Sequence, residues 1–254
     1  MKTYLITGAG SGMGRATAIL LSAQAGTRII CIGRREAQLK ETLSMMTPGP
    51  HRLVDLDCRD AQALRKSFAN DEFIGQHGLD GVFANAGVGG ENHYGKDDRW
   101  DEIISINLTG TYHTIMESLP YLRKSLSPFR HILMTSSCLA RFGVPHYTAY
   151  CTAKTGLLGL TRSLAVELAS EHILVNALCP GWVETEMAQA GIQKLADRAG
   201  ASYEDELARQ KSFVPLGRLS QPQEIAETVA FLFSNRQTSI TGQAIDINNG
   251  SYMI

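Results

Sequence analysis

Short apolar runs rich in β-branched residues recur along the chain, and between them the apolar positions fall at the three-to-four-residue spacing of helices. The runs "TYLIT", "RIICI", "RLVDL", "GVFA", "HILMTS", "ILVNALC" and "QAIDI" predict strands. Helical patterns lie near 12–25, 35–46, 60–76, 98–125, 148–170 and 221–234. The strands are apolar without alternation, which predicts a parallel sheet covered by helices on both faces, an α/β fold. No linker, repeat or low-complexity segment divides the chain, so residues 1–254 read as a single domain. One stretch breaks the rhythm: 185–212 is helical in character, charged, and interrupted by Gly191 and Gly200. A segment this long after the C-terminal end of a strand predicts a lid or substrate loop.

The first strand runs into "TGAGSGMG" and then a helix. Gly8, Gly12 and Gly14 let backbone N–H groups approach a phosphate, and the helix N-terminus adds positive potential. A tight turn without a ligand would use the same glycines, but a first strand–turn–helix unit favours a dinucleotide. In that setting an acid at the end of the second strand would bind the ribose 2′-OH. The chain instead has Gly33, followed by Arg34 and Arg35. Arginines suit a 2′-phosphate, so NADP(H) is favoured, with NAD(H) left open.

Composition narrows the function classes. The 254 residues are 44% hydrophobic and 19% charged, and Lys+Arg 24 against Asp+Glu 25 gives a formal net charge of −1. That balance offers no basic footprint for nucleic acid. No apolar run reaches the roughly 18–20 residues that span a bilayer, and the N-terminal apolar stretch is too short for a secretory signal. Cys31, Cys58, Cys138, Cys151 and Cys179 are scattered without a C-x-x-C pair, as in a cytoplasmic protein with reduced thiols. The histidines show no metal-ligand spacing, and no catalytic metal is expected.

Tyr150 and Lys154 lie four residues apart on one face of a helix. Taken alone they suit a core aromatic beside a snorkelling cation. They also suit a proton donor and the cation that lowers its pKa, because a free phenol with pKa about 10 is poorly matched to proton exchange near neutrality. Ser137, just past the strand "HILMTS", could hold a carbonyl oxygen without ionising. Strand alternation should turn Ser136 the other way.

Together "TGAGSGMG", "NAG" at 85–87, "INLTG" at 106–110, "TSS" at 135–137, "YCTAK" at 150–154 and "PGWVET" at 180–185 resemble the short-chain dehydrogenase/reductase family, collinearly over essentially the whole chain. The resemblance implies a Rossmann-type, doubly wound domain and interconversion of a ketone and a secondary alcohol by hydride transfer. It implies Asn107, Ser137, Tyr150 and Lys154 as catalytic residues, with Tyr150 the general acid in reduction and base in oxidation. Asn107 would help hold a water in a proton relay to Lys154. The cofactor set it implies comprises Gly8, Ser11, Gly12, Met13, Gly14, Arg34, Arg35, Asp57, Cys58, Asn85, Ala86, Gly87, Tyr150, Lys154, Pro180, Gly181, Val183 and Thr185. Two departures from the family pattern stand out: Ala84 precedes Asn85 where a doubled asparagine is usual, and Asn248-Asn249 replaces a more frequent acidic-glycine pair.

Leu139, Phe142, Val144, His146, Tyr147 and Trp182 are candidate pocket walls, suited to a moderately apolar substrate. The general look is closest to 3-oxoacyl-thioester reductases and polyketide ketoreductases, while polyol and steroid dehydrogenases use the same framework. Arg141 suits a carboxylate or a phosphopantetheine phosphate, or equally a solvated surface. A cofactor-sensing protein without catalysis is the alternative from another class. The helix at 148–170 is apolar on more than one stripe, which with the family resemblance predicts a homotetramer or homodimer.

Overall fold

A computed structural model describes residues 1–253. Seven strands form one parallel sheet in the order β3-β2-β1-β4-β5-β6-β7. They are β1 (Lys2–Thr7), β2 (Thr27–Gly33), β3 (Arg52–Asp55), β4 (Gly81–Ala84), β5 (Arg130–Thr135), β6 (Ile173–Pro180) and β7 (Ala244–Ile247). All seven coincide with the apolar runs. The chain leaves β1 toward β2 on one side and returns to β4 on the other, so the order reverses between β1 and β4. Helices diverge there and leave a crevice at the strands' C-terminal ends.

Two apolar cores flank the sheet, as both-face coverage requires. One packs Leu5, Ile30, Val82, Ile132 and Val175 against α3 (Ala61–Ala69), α6 (Gly110–Leu122) and α7 (Thr148–Leu168). The other packs Tyr4, Ile6, Ile29, Phe83 and Leu133 against α1 (Gly12–Ser22), α2 (Glu36–Met45) and α10 (Pro222–Phe233). Adjacent residues of each strand serve opposite cores, which is the period-two geometry of a strand buried on both sides.

Two predicted helices are broken, the first by a local cap. The pattern at 60–76 splits into α3 and α4 (Glu72–His77), because the Asp71 carboxylate accepts from Phe73 N and Ile74 N and caps a new start. The pattern at 98–125 divides into α5 (Trp100–Ile104), a π turn (Ser105–Thr109) and α6. The 185–212 segment folds as α8 (Glu186–Ala199) and α9 (Tyr203–Ser212), with α8 ending at Gly200, φ +62°.

A candidate dinucleotide and carbonyl-reduction site

The glycine turn closes by backbone contact. A Cβ on Gly14 would sit 2.3 Å from Gly8 O, and one on Gly8 (φ +67°) would meet Ala86 Cα at 3.0 Å. Gly12, with φ +52°, opens α1 and lies under the Thr185 methyl. Thr185 itself caps α8, its Oγ1 accepting from Ala188 N at 3.3 Å. Two helix N-termini therefore face the same turn, which suits a pyrophosphate.

A cleft of about 650 Å³ extends from that turn. Gly8, Ser11, Gly12, Met13, Arg34, Arg35, Asp57, Cys58, Asn85, Ala86, Gly87 and Thr185 all line it. Gly14, Tyr150, Lys154, Pro180, Gly181 and Val183 do not. Gly14 works one layer deeper, where it permits the close packing of α1 on the turn. Val183 is buried and bridges to Ser220, and Gly181 lies against the Asn248 backbone. Gln38, Arg99 and Lys194 line the cleft without having stood out in sequence. They sit on ordinary helical or loop positions, where no motif marks them.

The far end of the cleft is charged and open. Arg35 donates to Ser11 Oγ at 3.2 Å and approaches Glu186 at 3.9 Å, and Arg34 lies 3.6 Å from Asp57. Both arginines are more than half exposed, so these contacts hold them only loosely. Hydrogen bonding from Arg59 keeps the Asp57 carboxyl below its ordinary range. The glycine cradle, the helix termini and this basic rim fit an NADP(H) molecule. In place of an acid, Gly33 ends β2 with room beside Leu39.

The other end is more buried and tightly bonded. Thr7 Oγ1 accepts from Asn85 N and Ala86 N, both at 3.0 Å, and Thr135 Oγ1 donates to Asn85 Oδ1 at 3.0 Å. These bonds tie together the ends of β1, β4 and β5. The π turn rotates the fully buried Asn107 toward the loop after β4, where its Oδ1 accepts from Val88 N and its Nδ2 donates to Val88 O. Widened turns of this kind often mark functional positions. Gly87 then sits between two groups: a Cβ there would lie 2.6 Å from Asn107 Oδ1 and 3.5 Å from Lys154 Nζ.

Lys154 is buried on α7 and donates from Nζ to Thr135 O at 2.8 Å. Ser136 Oγ donates to Lys154 O, so it points at α7. Ser137 Oγ accepts from Leu139 N at 3.1 Å. Tyr150 is half-buried with Tyr147 edge-on at 6.2 Å and Lys154 Nζ 5.5 Å from its ring. Burial pushes the Tyr150 phenol up to about 12, with Ser137 hydrogen bonding acting the other way. Burial also pulls Lys154 down to about 8. Desolvation is the dominant cause at both groups, rather than an attraction between them.

Three other expectations change. Arg141 is not free, because Nη2 donates to Ala244 O and to Asp246 Oδ2 at 3.1 Å. Phe142 stacks on Tyr252 at 5.6 Å, drawn toward the C-terminal tail. His146 is exposed, with φ 67°, and its ring lies 4.6 Å from that of His93. Tyr147 stays beside Tyr150, and Trp182 donates to Gln210 Oε1 of α9 at 3.3 Å. Leu139 and Val144 are half-buried on the turn between Ser137 and α7. Arg198 of α8 makes a bidentate pair with Glu91 in the loop after β4, at 2.7 and 2.5 Å. Among the described residues no helix is long and apolar enough to cross a membrane.

A family model described as enoyl-(acyl carrier protein) reductase matches residues 8–251. The 3-oxoacyl-[acyl-carrier-protein] reductase of Thermotoga maritima is 32% identical, covering 98% of this chain and 97% of that protein. A variant actinorhodin polyketide ketoreductase solved with NADPH superposes with a TM-score of 0.89 at 30% identity, over 98% of this chain and 97% of the other. A short-chain dehydrogenase family protein from Francisella tularensis gives a TM-score of 0.85 at 27% identity, over 99% and 98%.

Proposed function

The chain belongs to the short-chain dehydrogenase/reductase family, and from that premise we propose its substrate class and the residues of its chemistry. As an NAD(P)-dependent oxidoreductase it interconverts a ketone and a secondary alcohol, with NADP(H) the favoured cofactor. The substrate we assign is a 3-oxoacyl thioester, carried by coenzyme A or a carrier protein. The curated relative's activity supports this, as does the mixed apolar wall of Leu139, Val144, Tyr147 and Trp182.

When bound, NADP(H) supplies or accepts the hydride. Tyr150 Oη gives its proton to the carbonyl oxygen in reduction and takes it back in oxidation. Ser137 Oγ orients that oxygen, a task that does not require it to ionise. Lys154 holds positive charge behind Tyr150 and faces the cofactor loop across Gly87. Asn107 fixes the Val88 backbone and so the floor on which Lys154 and the cofactor loop meet. The observation that carries the reading is that junction at Gly87, where the loop lining the cleft has no room for a side chain between Asn107 and Lys154.

The remaining parts of the proposal are a single cytoplasmic domain assembled as a homotetramer. The scattered free thiols and the exposed Val166 and Tyr112 on α7 and α6 support these. A stable monomer in light scattering at micromolar concentration would reject the assembly. A panel of 3-oxoacyl thioesters, polyols and steroids, followed by nicotinamide absorbance with NADPH and NADH, tests the substrate. The thioesters should lead in kcat/KM by about tenfold or more, about 1.4 kcal/mol of transition-state discrimination. A polyol or steroid at the head of the panel would overturn the assignment.

A further inference from the structure

Helix α7 begins without a cap of its own. Tyr147, at its N-cap position, makes no side-chain bond to the helix, although the first turn leaves backbone donors that need acceptors. The acceptor comes from the loop after β4, 57 positions away in sequence. The buried Asn92 side chain accepts at Oδ1 from Ala149 N at 2.9 Å and from Thr148 Oγ1 at 3.0 Å. Its Nδ2 donates to Asp98 Oδ1 at 3.1 Å, and its backbone N donates to His146 O at 2.8 Å. His146 has a left-handed backbone that non-glycine residues adopt only under constraint. Asn92 therefore fixes both the strained approach to α7 and the first turn of the helix that carries Tyr150. It does not line the cofactor cleft.

We infer that Asn92 is a positioning residue for Tyr150: a cap supplied from a distant loop that sets where the phenol meets the carbonyl oxygen. The residue acts through α7 and touches neither cofactor nor substrate. The amide suits the place because it accepts toward the helix and donates toward Asp98 at once. A serine has no group that reaches both, and an aspartate would set a carboxylate against Asp98. The neighbouring Glu91 binds α8 through Arg198, so the same short loop braces the acid and α8.

The inference rests on Tyr150 as the proton donor, and the test separates the two. In Asn92→Ala, kcat per NADPH-binding site should fall about 10- to 100-fold, the loss that follows when a reacting group shifts by roughly an ångström. The NADPH Kd should stay within about threefold of the parent, since Asn92 is outside the cleft. The solvent deuterium isotope effect on kcat should rise as proton transfer becomes more limiting, a change that partial unfolding would not produce. If Asn92→Ala does not fold, Asn92→Ser carries the same readouts with a smaller loss. Parent-like kcat per site, or a loss of kcat matched by the loss of NADPH sites, overturns the inference. Turnover retained in Tyr150→Phe would instead sink the assignment of the acid.

Discussion

The two ends of the cleft are built on opposite principles. At the chemical end, Asn107, Ser136, Lys154 and Asn85 are buried or half-buried and bonded to backbone atoms of β1, β5, α7 and the loop after β4. At the adenosine end, Arg34 and Arg35 are exposed and held by long ionic contacts. Buried hydrogen bonds fix geometry because leaving any partner unpaired is costly. Exposed ion pairs are screened and worth little to the fold. The reaction should therefore be hard to alter without damage, and the cofactor preference easy.

The largest effect that would sharpen this contrast is at Lys154. Replacing it with alanine removes the cation behind the acid, and turnover should fall about 10²- to 10⁴-fold. Its lowered pKa also sets a pH limb. A depressed lysine is charged below about 8 and neutral above it, so kcat/KM for reduction should hold below that pH and decline above. Lys154→Arg, a cation at every accessible pH, should lose this alkaline limb; an unchanged limb would assign it to another group.

The adenosine end should respond in binding alone. Removing Arg34 and Arg35 together should weaken NADPH about 10- to 100-fold, the worth of hydrogen bonds to a charged group, with NADH and kcat little changed. An equal loss for both cofactors would break the comparison, since it would make the arginines structural. Gly14→Ala probes the joint between the ends. With only 2.3 Å to Gly8 O, it should cost about 1–3 kcal/mol in a thermal melt. The smallest effect is at α8: Arg198→Ala, which breaks a part-exposed pair with Glu91, should raise the substrate KM only about two- to threefold. A loss of kcat with KM unchanged would show that the pair acts on the chemistry.

The sheet was legible because its central strands are buried on both faces and carry nearly unbroken apolar runs, while the edge strands β3 and β7 are only partly buried. The helix breaks at Asn70–Asp71 and at the π turn were not: the Asp71 cap lies inside a continuous helical pattern, and Asn107 in the π turn bonds to the distant Val88 backbone. The glycine turn, Ser137, Tyr150 and Lys154 stood out because their spacing is local. Asn92, Arg198 and Gln38 did not, because their partners are fixed only when the loop after β4, α7 and α8 come together. Arg141 shows the reverse case: an unassigned cation in sequence, it is tied by the fold to Asp246 on the edge strand β7.

The central claim is that Tyr150 is the proton donor of a site whose cofactor binding is separately built. Titrating NADPH into Tyr150→Phe while measuring ketone reduction tests it in one preparation. The account predicts a Kd within about threefold of the parent and a turnover reduced by at least about 10². Turnover close to the parent's, with NADPH bound, would contradict it.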